Sequence, residues 1–218
     1  MGRRYVHVVN AVALPEREQL YVAQKLTFET MRRARDMSGI DVSFLSAHFP
    51  EDGGAVPAWF ESSGHLTRSL LDFGVFNPAR KLPLLGDVLD AARNVDADYV
   101  LYTNVDIGLM PHFYTWVDTC ITRGCHACSI NRRDIALEPN KPERLQEIWE
   151  QSGVPHPGSD CFMFPHALLN ELDLDEAVIG MPWVGFLLLA NLLCCVPGTS
   201  IHEDLRLTFH LGCDRTWG

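Results

Sequence analysis

The sequence has few basic residues for its size. Among its 218 residues, 18 are lysine or arginine and 28 are aspartate or glutamate, which gives a formal net charge of −10. Because nucleic acids and anionic membranes both bind basic surface, this deficit argues against a partner of either kind. A small anionic ligand stays possible, since a local basic pocket or a metal ion can override the net charge.

Long apolar segments are missing as well. The most apolar run, residues 183–196, is interrupted by Asn191 and is too short to cross a bilayer. Residues 1–14 lack the uninterrupted apolar core of a signal peptide. Seven cysteines, an odd number without a secretion signal, indicate reduced thiols. We therefore expect a cytoplasmic protein with no transmembrane segment.

Three common motifs are also absent, namely G-x-x-x-x-G-K-[ST], G-x-G-x-x-G and G-x-S-x-G. The nucleotide-binding and hydrolase functions that those motifs indicate lose their usual support. Residues 125–128 (CHAC) resemble one half of a zinc knuckle. No second pair of ligands follows at a usable spacing, so the sequence gives little support for a zinc site.

What is present predicts one α/β domain over residues 1–218. At 47% hydrophobic residues, the chain has enough apolar material for a full core. An apolar strand at 5–14, a helix at 16–37 closed by Gly39, and a strand at 40–46 form a βαβ unit, which is typical of a mainly parallel sheet flanked by helices.

Further strands are predicted at 99–103, 126–131, 161–164 and 208–211. Further helices are predicted at 66–73, 82–93, 111–123, 143–151, 166–172 and 183–196. Residues 132–142 read as a loop and 155–159 as a turn.

Two polar side chains follow the strand at 99–103. Asn104 and Asp106 are two residues apart, so in extended backbone they point to the same side. Ligands bind beyond the carboxyl ends of strands in open α/β sheets. One carboxylate and one amide can hold Mg²⁺ or Mn²⁺, or a ribose hydroxyl together with a cation. The alternative is an ordinary turn, where both residue types are common.

Other positions are weaker candidates. Arg80 and Lys81 precede a helix and could bind phosphate oxygens, or could be solvated charges. Asp160 lies at a turn-to-strand junction and could cap the turn or face a ligand. His210 lies in an apolar strand, where a hydrogen-bonded core histidine and a metal ligand are both possible.

The order of several segments resembles the GT-A fold family of nucleotide-sugar glycosyltransferases, in particular bacterial glycosyltransferase-like proteins. Residues 102–109 (YTNVDIGL) are similar to that family's Y-x-N-S-D-I-I-L, and 158–168 (GSDCFMFPHAL) to its G-x-D-Y-F-V-F-P-R-x-L. Residues 179–187 (IGMPWVGFL) are similar to I-G-R-P-x-W-D-N-W-L, and 210–214 (HLGCD) loosely to H-Q-x-H-D.

This resemblance implies a nucleotide-sugar donor, an unknown acceptor and a divalent metal, Mn²⁺ or Mg²⁺. Asp106 would hold the metal with His210 as a further ligand, and Asn104 would bind ribose or a metal-bound water. Asp160 would face the donor sugar or the acceptor and is the best candidate for the catalytic base. The donor's base and ribose would lie between the loops after the first two strands, with the diphosphate near the basic pair; the residues concerned are Asn10, Ala11, Ser46, Arg80 and Lys81.

Two alternatives stay open beside the transferase. The acidic residue of the family's W-D-N-W is Val184 here, so a nucleotide-sugar-binding or scaffold protein without turnover is the second hypothesis. A nucleotidyltransferase on a similar fold is the third. It is disfavoured because residues 10–15 (NAVALP) contain neither the glycine nor the lysine of its usual phosphate loop.

Overall fold

One nine-stranded mixed sheet organises the protein. The computed structural model describes residues 2–136 and 144–211. The strands are β1 (Arg4–Val9), β2 (Asp41–His48), β3 (Glu61–His65), β4 (Tyr99–Thr103), β5 (Ile107–Leu109), β6 (Cys128–Ile135), β7 (Val154–Pro165), β8 (Ser200–His202) and β9 (Thr208–Leu211). The α-helices are α1 (Gln19–Ser38), α2 (Leu85–Asp90), α3 (Phe113–Thr122), α4 (Leu145–Glu150) and α5 (Val184–Cys195).

The strand order places β4 near the middle of the sheet. The order is β3-β2-β1-β4-β7-β6-β9-β5, and β8 also pairs with β6. Strands β3, β2, β1 and β4 pair in parallel, β7 runs antiparallel to both β4 and β6, and β6 is parallel to β8 and β9. The predicted α/β fold with a mainly parallel central sheet is confirmed.

Both faces of β1 are buried, which explains its continuous apolar sequence. Tyr5 and Val9 pack in a cluster with residues of α1 and α3, whereas Val6 and Val8 pack with residues of α2 and α5. Helices therefore cover the sheet on both sides, as expected for parallel strands.

The first helix ends where the sequence predicts. Gly39 adopts a left-handed conformation with φ of 65°, and its N–H donates to the carbonyl of Arg35 at 3.1 Å. This is the usual helix stop, and glycine adopts that backbone conformation without steric cost. Within the two described ranges, neither α1 nor any other helix is long and apolar enough to span a membrane.

Two segments near the later strands differ from the prediction. Strand β6 continues to Ile135 through residues predicted to be a loop, and the turn predicted at 155–159 lies inside β7. These polar residues extend because neighbouring strands supply their backbone partners: Arg133 pairs with Pro155 of β7 and with Phe209 of β9. Residues 137–142 of the predicted loop and residue 143 lie outside the described residues.

Two predicted helices are much shorter. Residues 66–73 contain only a single 3₁₀ turn at Leu70–Asp72, and 166–172 only another at His166–Asn170. In the first segment, Ser69 and Asp72 form a capping box at the start of the turn, and Ser69 also bridges to Pro83. Local polar bonds therefore compete with helix propagation there.

His7 makes fold stability depend on pH. The side chain is fully buried, 2.8 Å from the Tyr114 hydroxyl and 3.0 Å from the Thr103 hydroxyl, and burial lowers its pKa from 6.5 to about 3. Because the folded pKa is lowered, the full stability exists above the ordinary pKa and is lost as the pH falls toward 3. We expect the free energy of unfolding to drop by about 1.4 kcal/mol per pH unit in that window through this residue. Urea unfolding of the wild type and of His7→Gln, at neutral pH and near pH 5, gives the change in the free energy of unfolding with pH. An equal change in the two proteins would contradict a role for His7.

Candidate functional site

Asn104 and Asp160 meet at the carboxyl end of β4. The Asn104 amide nitrogen donates to Asp160 Oδ1 at 3.3 Å, and its Oδ1 accepts from the Tyr102 hydroxyl at 3.0 Å. The backbone N–H of Asn104 also lies 3.4 Å from the carbonyl of Asp160. The two predicted residues, 56 positions apart in the chain, are therefore direct neighbours.

The antiparallel pairing of β7 with β4 produces this contact. Thr103 pairs with Cys161, so the residue before Cys161 falls opposite the residue after Thr103. Helix α5 packs closely against the same stretch of β7, because a Cβ atom added to Gly185 would lie 2.2 Å from the carbonyl oxygen of Ser159. Only glycine permits that approach, so the start of α5 lies beside Asp160.

Arg132 is a buried cation that sequence analysis missed. It is 5% exposed; its Nε donates to Asp134 Oδ1 at 3.0 Å and one terminal nitrogen donates to Asp160 Oδ2 at 2.9 Å. His156 Nδ1 lies 3.9 Å from the same carboxylate oxygen of Asp160. A buried guanidinium between two carboxylates offsets part of their negative charge and orients both.

Asp106 and His210 form the second half of the site. His210 Nε2 lies 3.4 Å from Asp106 Oδ2, and Nδ1 lies 3.6 Å from Asp134 Oδ1. Strand register explains this, since His210 of β9 pairs with Ile107 of β5 on one side and with Asp134 of β6 on the other. Asp134 thus joins the pair to Arg132 and Asp160 in one polar cluster.

The cluster favours the ionised form of Asp106. Burial alone would raise the pKa of this carboxyl group, but the hydrogen bond and charge of His210, together with the Arg132 charge, hold it below its ordinary value. The Asp106 side chain is 27% exposed, whereas that of His210 is 8% exposed. The carboxylate therefore stays charged and reachable from solvent, as a cation ligand has to be.

A second group of polar contacts lies at the carboxyl ends of β1 and β2. Asn10 donates to the Ala47 carbonyl at 2.6 Å, and the Ala11 N–H donates to the Ser46 hydroxyl at 3.2 Å. Ser46 is fully buried and Asn10 is 7% exposed. Because β1, β2 and β4 are parallel, this group lies at the same edge of the sheet as Asn104.

The loop after β1 is fixed by two further side chains. Gln24 of α1 bonds the backbone N–H and carbonyl of Val12 at 2.9 and 3.0 Å, and Asp52 accepts from the Ala13 N–H at 2.8 Å. This loop contains neither glycine nor lysine, so it cannot wrap a phosphate chain as a glycine-rich loop does.

The basic pair lies apart from the polar cluster. Lys81 is exposed, forms an ion pair with Glu51, and places its ammonium group 4.1 Å from the centre of the Phe49 ring. Phe49 and Glu51 both follow β2, so Lys81 lies near the carboxyl end of β2 and not near that of β4. Arg80 is exposed. The predicted phosphate contacts of both residues stay predictions.

The residues that were missed had only a faint sequence signal. Arg132 and Asp134 are two positions apart and share one side of an extended strand, but their segment is mostly polar and charged and reads as a loop. His156 lies in residues read as a turn. Tyr102 is inside the segment similar to the glycosyltransferase family, without a role implied by it.

Two depressions in the described surface lie away from the polar cluster. One of about 290 Å³ is lined by Met110, Trp116 and Trp149 among others, and another by Asp87 and Asp173 among others. Neither includes a residue of the polar cluster, whose carboxylates are instead partly exposed at the surface.

Comparison with known proteins identifies the fold. No protein-family model and no curated protein matches the sequence. Among solved structures, S. aureus TarS in complex with UDP-GlcNAc matches with a TM-score of 0.53 at 10% identity, covering 97% of this chain and 59% of that one. The same TarS fragment in complex with UDP matches equally well at 9% identity, covering 96% and 60%.

A second kind of protein has a similar fold. The 4-diphosphocytidyl-2C-methyl-D-erythritol synthase of Anaerococcus prevotii matches with a TM-score of 0.52 at 9% identity, covering 94% of this chain and 89% of that one. The chain spans about three fifths of the TarS fragment. At such low identity the likeness concerns architecture only, and on that basis the chain has a GT-A-like α/β fold.

Proposed function

We propose that the protein is a glycosyltransferase that moves a sugar from a nucleotide-sugar donor to an acceptor not yet identified. The observation that carries this proposal is the joining of Asp106, His210, Asn104 and Asp160 in one polar cluster at the carboxyl end of β4. In support, TarS, which shares the fold, has been solved with UDP-GlcNAc. The proposed unit is a single domain over residues 1–218. The proposed location is cytoplasmic, which rests on the odd number of cysteines in a sequence without a secretion signal.

The nucleotide would lie across the ends of β1, β2 and β4. Asn10, Ala11 and Ser46 would flank the base and ribose, with Ser46 acting through the backbone of the loop, since its hydroxyl is buried against Ala11. Lys81 lies near the carboxyl end of β2, on the side of the base and ribose, so contact of Lys81 or Arg80 with the phosphates would require them to reach across β1 toward Asp106. Ligands of open α/β sheets bind at this edge.

Asp106 and His210 would hold a divalent cation, Mn²⁺ or Mg²⁺. The fit rests on their spacing: two ligand atoms at about 2.1 Å from one ion, on adjacent octahedral positions, are about 3 Å apart, and the measured separation is 3.4 Å. Asn104 would bind ribose or a water on that ion. When bound, such a cation neutralises charge on the leaving diphosphate.

Asp160 is the proposed catalytic base. Its carboxylate would accept the acceptor hydroxyl's proton as that oxygen bonds to the anomeric carbon and the bond from this carbon to the diphosphate breaks. Arg132 and Asn104 donate to the two oxygens of this carboxylate and orient it. At the start of α5, this chain has Val184 where the family has a second acidic residue. Asp160 is therefore the carboxylate proposed for this role.

A nucleotide-sugar-binding protein without turnover is the second candidate. Val184 favours it, and so does the engagement of both Asp160 oxygens by Arg132 and Asn104. The nucleotidyltransferase reading has a structural neighbour in its favour, but the loop at residues 10–15 lacks the glycine and lysine that this reaction usually needs.

Release of nucleoside diphosphate separates these possibilities. We expect the wild type, with water taking the sugar in place of the unidentified acceptor, to hydrolyse one of UDP-, GDP-, CMP- or dTDP-sugars slowly in the presence of Mn²⁺ and so release the nucleoside diphosphate (monophosphate for CMP). Binding of a donor without release would favour the binding protein. Failure of every donor to bind would refute both.

Asp160→Asn tests the catalytic base. We expect the release rate to fall by about 100-fold or more, in line with loss of a general base, while the donor Kd stays within about threefold. Asp134→Asn is the comparison variant, because it also removes an Arg132 ion pair; since Asp134 lies 3.6 Å from His210 as well, the Mn²⁺-dependent donor Kd of this variant is measured alongside its rate. An equal loss of rate in both variants, with an unchanged pH profile in Asp160→Asn, would show that Asp160 only positions Arg132.

A further inference from the structure

Two thiols and an imidazole cluster away from the polar site. Cys120 lies in the last turns of α3, Cys125 in the segment between α3 and β6, and His202 at the end of β8. One ligand atom from each lies within 4.8 Å of the others, and all three residues are half-buried. Across residues 2–136 and 144–211 this is the one group of three potential metal ligands at such spacing.

Backbone pairing brings these residues together. The Cys125 N–H donates to the Cys120 carbonyl at 3.1 Å, which folds the connecting turn back on the end of α3. Strand β8 pairs in parallel with β6, with Ser200 opposite Cys128 and His202 opposite Ile130. The ligand that the sequence lacked near residues 125–128 is thus supplied by a strand more than 70 positions later.

Hydrogen bonds already link the three side chains. The Ser200 hydroxyl lies 3.2 Å from Cys125 Sγ and 3.0 Å from His202 Nε2. The Trp116 ring packs edge-on against the His202 ring, with the two ring centres 5.0 Å apart, and limits the movement of the imidazole. The hydrogen bond with the Cys128 thiol, and then those with Ser200 and Cys120, hold the pKa of Cys125 below its ordinary value.

We propose that Cys120, Cys125 and His202 bind one Zn²⁺ ion, with a water in the fourth position. Thiolate and imidazole are the ligands that Zn²⁺ prefers, at about 2.3 Å for sulfur and 2.0 Å for nitrogen. Ligand atoms less than 4.8 Å apart reach such a site with small side-chain rotations. On binding, each thiol loses its proton to solvent, and His202 Nε2 exchanges its contact with Ser200 for the metal.

This site is separate from the proposed donor site. Cys120, Cys125 and His202 are not residues of the polar cluster. The approach along β6 is from Ile130, which pairs with His202, to Arg132 two positions later, about 7 Å at 3.3 Å per residue. The hard cation proposed at Asp106 prefers oxygen ligands, whereas a thiol pair selects Zn²⁺. The zinc ion would fasten the end of α3 to β8, and the inference does not depend on the proposed function.

Metal titration of the reduced, metal-free chain tests the proposal. We expect one Zn²⁺ per chain, an increase in the unfolding midpoint of about 5 °C at saturating zinc, and a thiolate-to-metal charge-transfer band when Co²⁺ replaces Zn²⁺. Zinc should also protect Cys120 and Cys125 from alkylation while Cys194, exposed on α5, is modified in both states.

Substitutions distinguish zinc binding at this site from zinc binding elsewhere in the chain. Cys125→Ser and His202→Asn should each weaken zinc binding by about 100-fold or more, since even loss of a residue that only supports a ligand costs 10- to 100-fold. Cys194→Ser and Asp106→Ala should bind zinc as the wild type does. Absence of zinc binding by the wild type, equal alkylation of Cys120 and Cys125 with and without zinc, or binding that survives both ligand substitutions would overturn the proposal.

Discussion

Asp106→Ala is expected to abolish the Mn²⁺-dependent part of the affinity for a nucleoside diphosphate. The substitution removes the partly exposed carboxylate that lies 3.4 Å from His210 Nε2, so the proposed cation loses its charged ligand. We expect at least about a 30-fold weaker Kd in the presence of Mn²⁺, or roughly 2 kcal/mol, and little change in the Kd measured with a chelator. Isothermal titration with and without Mn²⁺ measures both.

Asp87→Ala is the matched control for this variant. Asp87 lies on α2 and forms an ion pair with Arg68; in the part of the chain that the structure describes, its side chain bonds to no residue of the polar cluster. It should leave the Mn²⁺-dependent affinity unchanged. Affinity that survives both Asp106→Ala and a chelator would contradict the metal role and make Lys81 and Arg80 the better candidates for phosphate contacts.

Arg132→Ala is expected to cause the largest loss of stability. Its guanidinium is buried between Asp134 and Asp160, and removing it leaves two carboxylates close together without their cation. Breaking a buried ion pair from one side costs about 3 kcal/mol or more. For a chain of this size that corresponds to a drop of about 6 °C or more in the unfolding midpoint, which thermal or urea unfolding measures.

Two further variants serve as controls for Arg132→Ala: one breaks an exposed ion pair, and the other adds a second substitution. Arg68→Ala breaks a pair whose arginine side chain is 58% exposed, so its effect should stay within about 0.5 kcal/mol. Adding Asp160→Asn to Arg132→Ala should recover part of the lost stability, because one of the two uncompensated charges is gone. Equal midpoints for Arg132→Ala and Arg68→Ala would be inconsistent with a buried charge cluster.

The parts of the fold that the sequence predicts are those with strong local signals. The apolar strand β1, the helix closed by Gly39 and the strand β4 were all identifiable from short segments. Asn104 and Asp106 were predicted because they directly follow a clear strand. Their closeness to Asp160 and His210 was expected from the family resemblance, and the structure places these residues in one cluster.

Long-range pairing explains what the sequence did not reveal. Arg132 and Asp134 extend because β7 and β9 pair with β6 on either side, and no local pattern of apolar residues reports that. The same holds for His202, which reaches Cys125 through the pairing of β8 with β6. Residues 212–214 of the predicted histidine motif lie outside the described residues, and their predicted role stays a prediction.

The claim that this sheet edge binds a nucleotide-sugar is tested most directly by donor binding to the wild-type chain. Isothermal titration of UDP-, GDP-, CMP- and dTDP-sugars, each with and without Mn²⁺, compares the four donors under equal conditions. We predict saturable one-to-one binding of at least one donor, stronger with Mn²⁺ than with a chelator. Absence of binding by all four donors in both conditions would contradict the account.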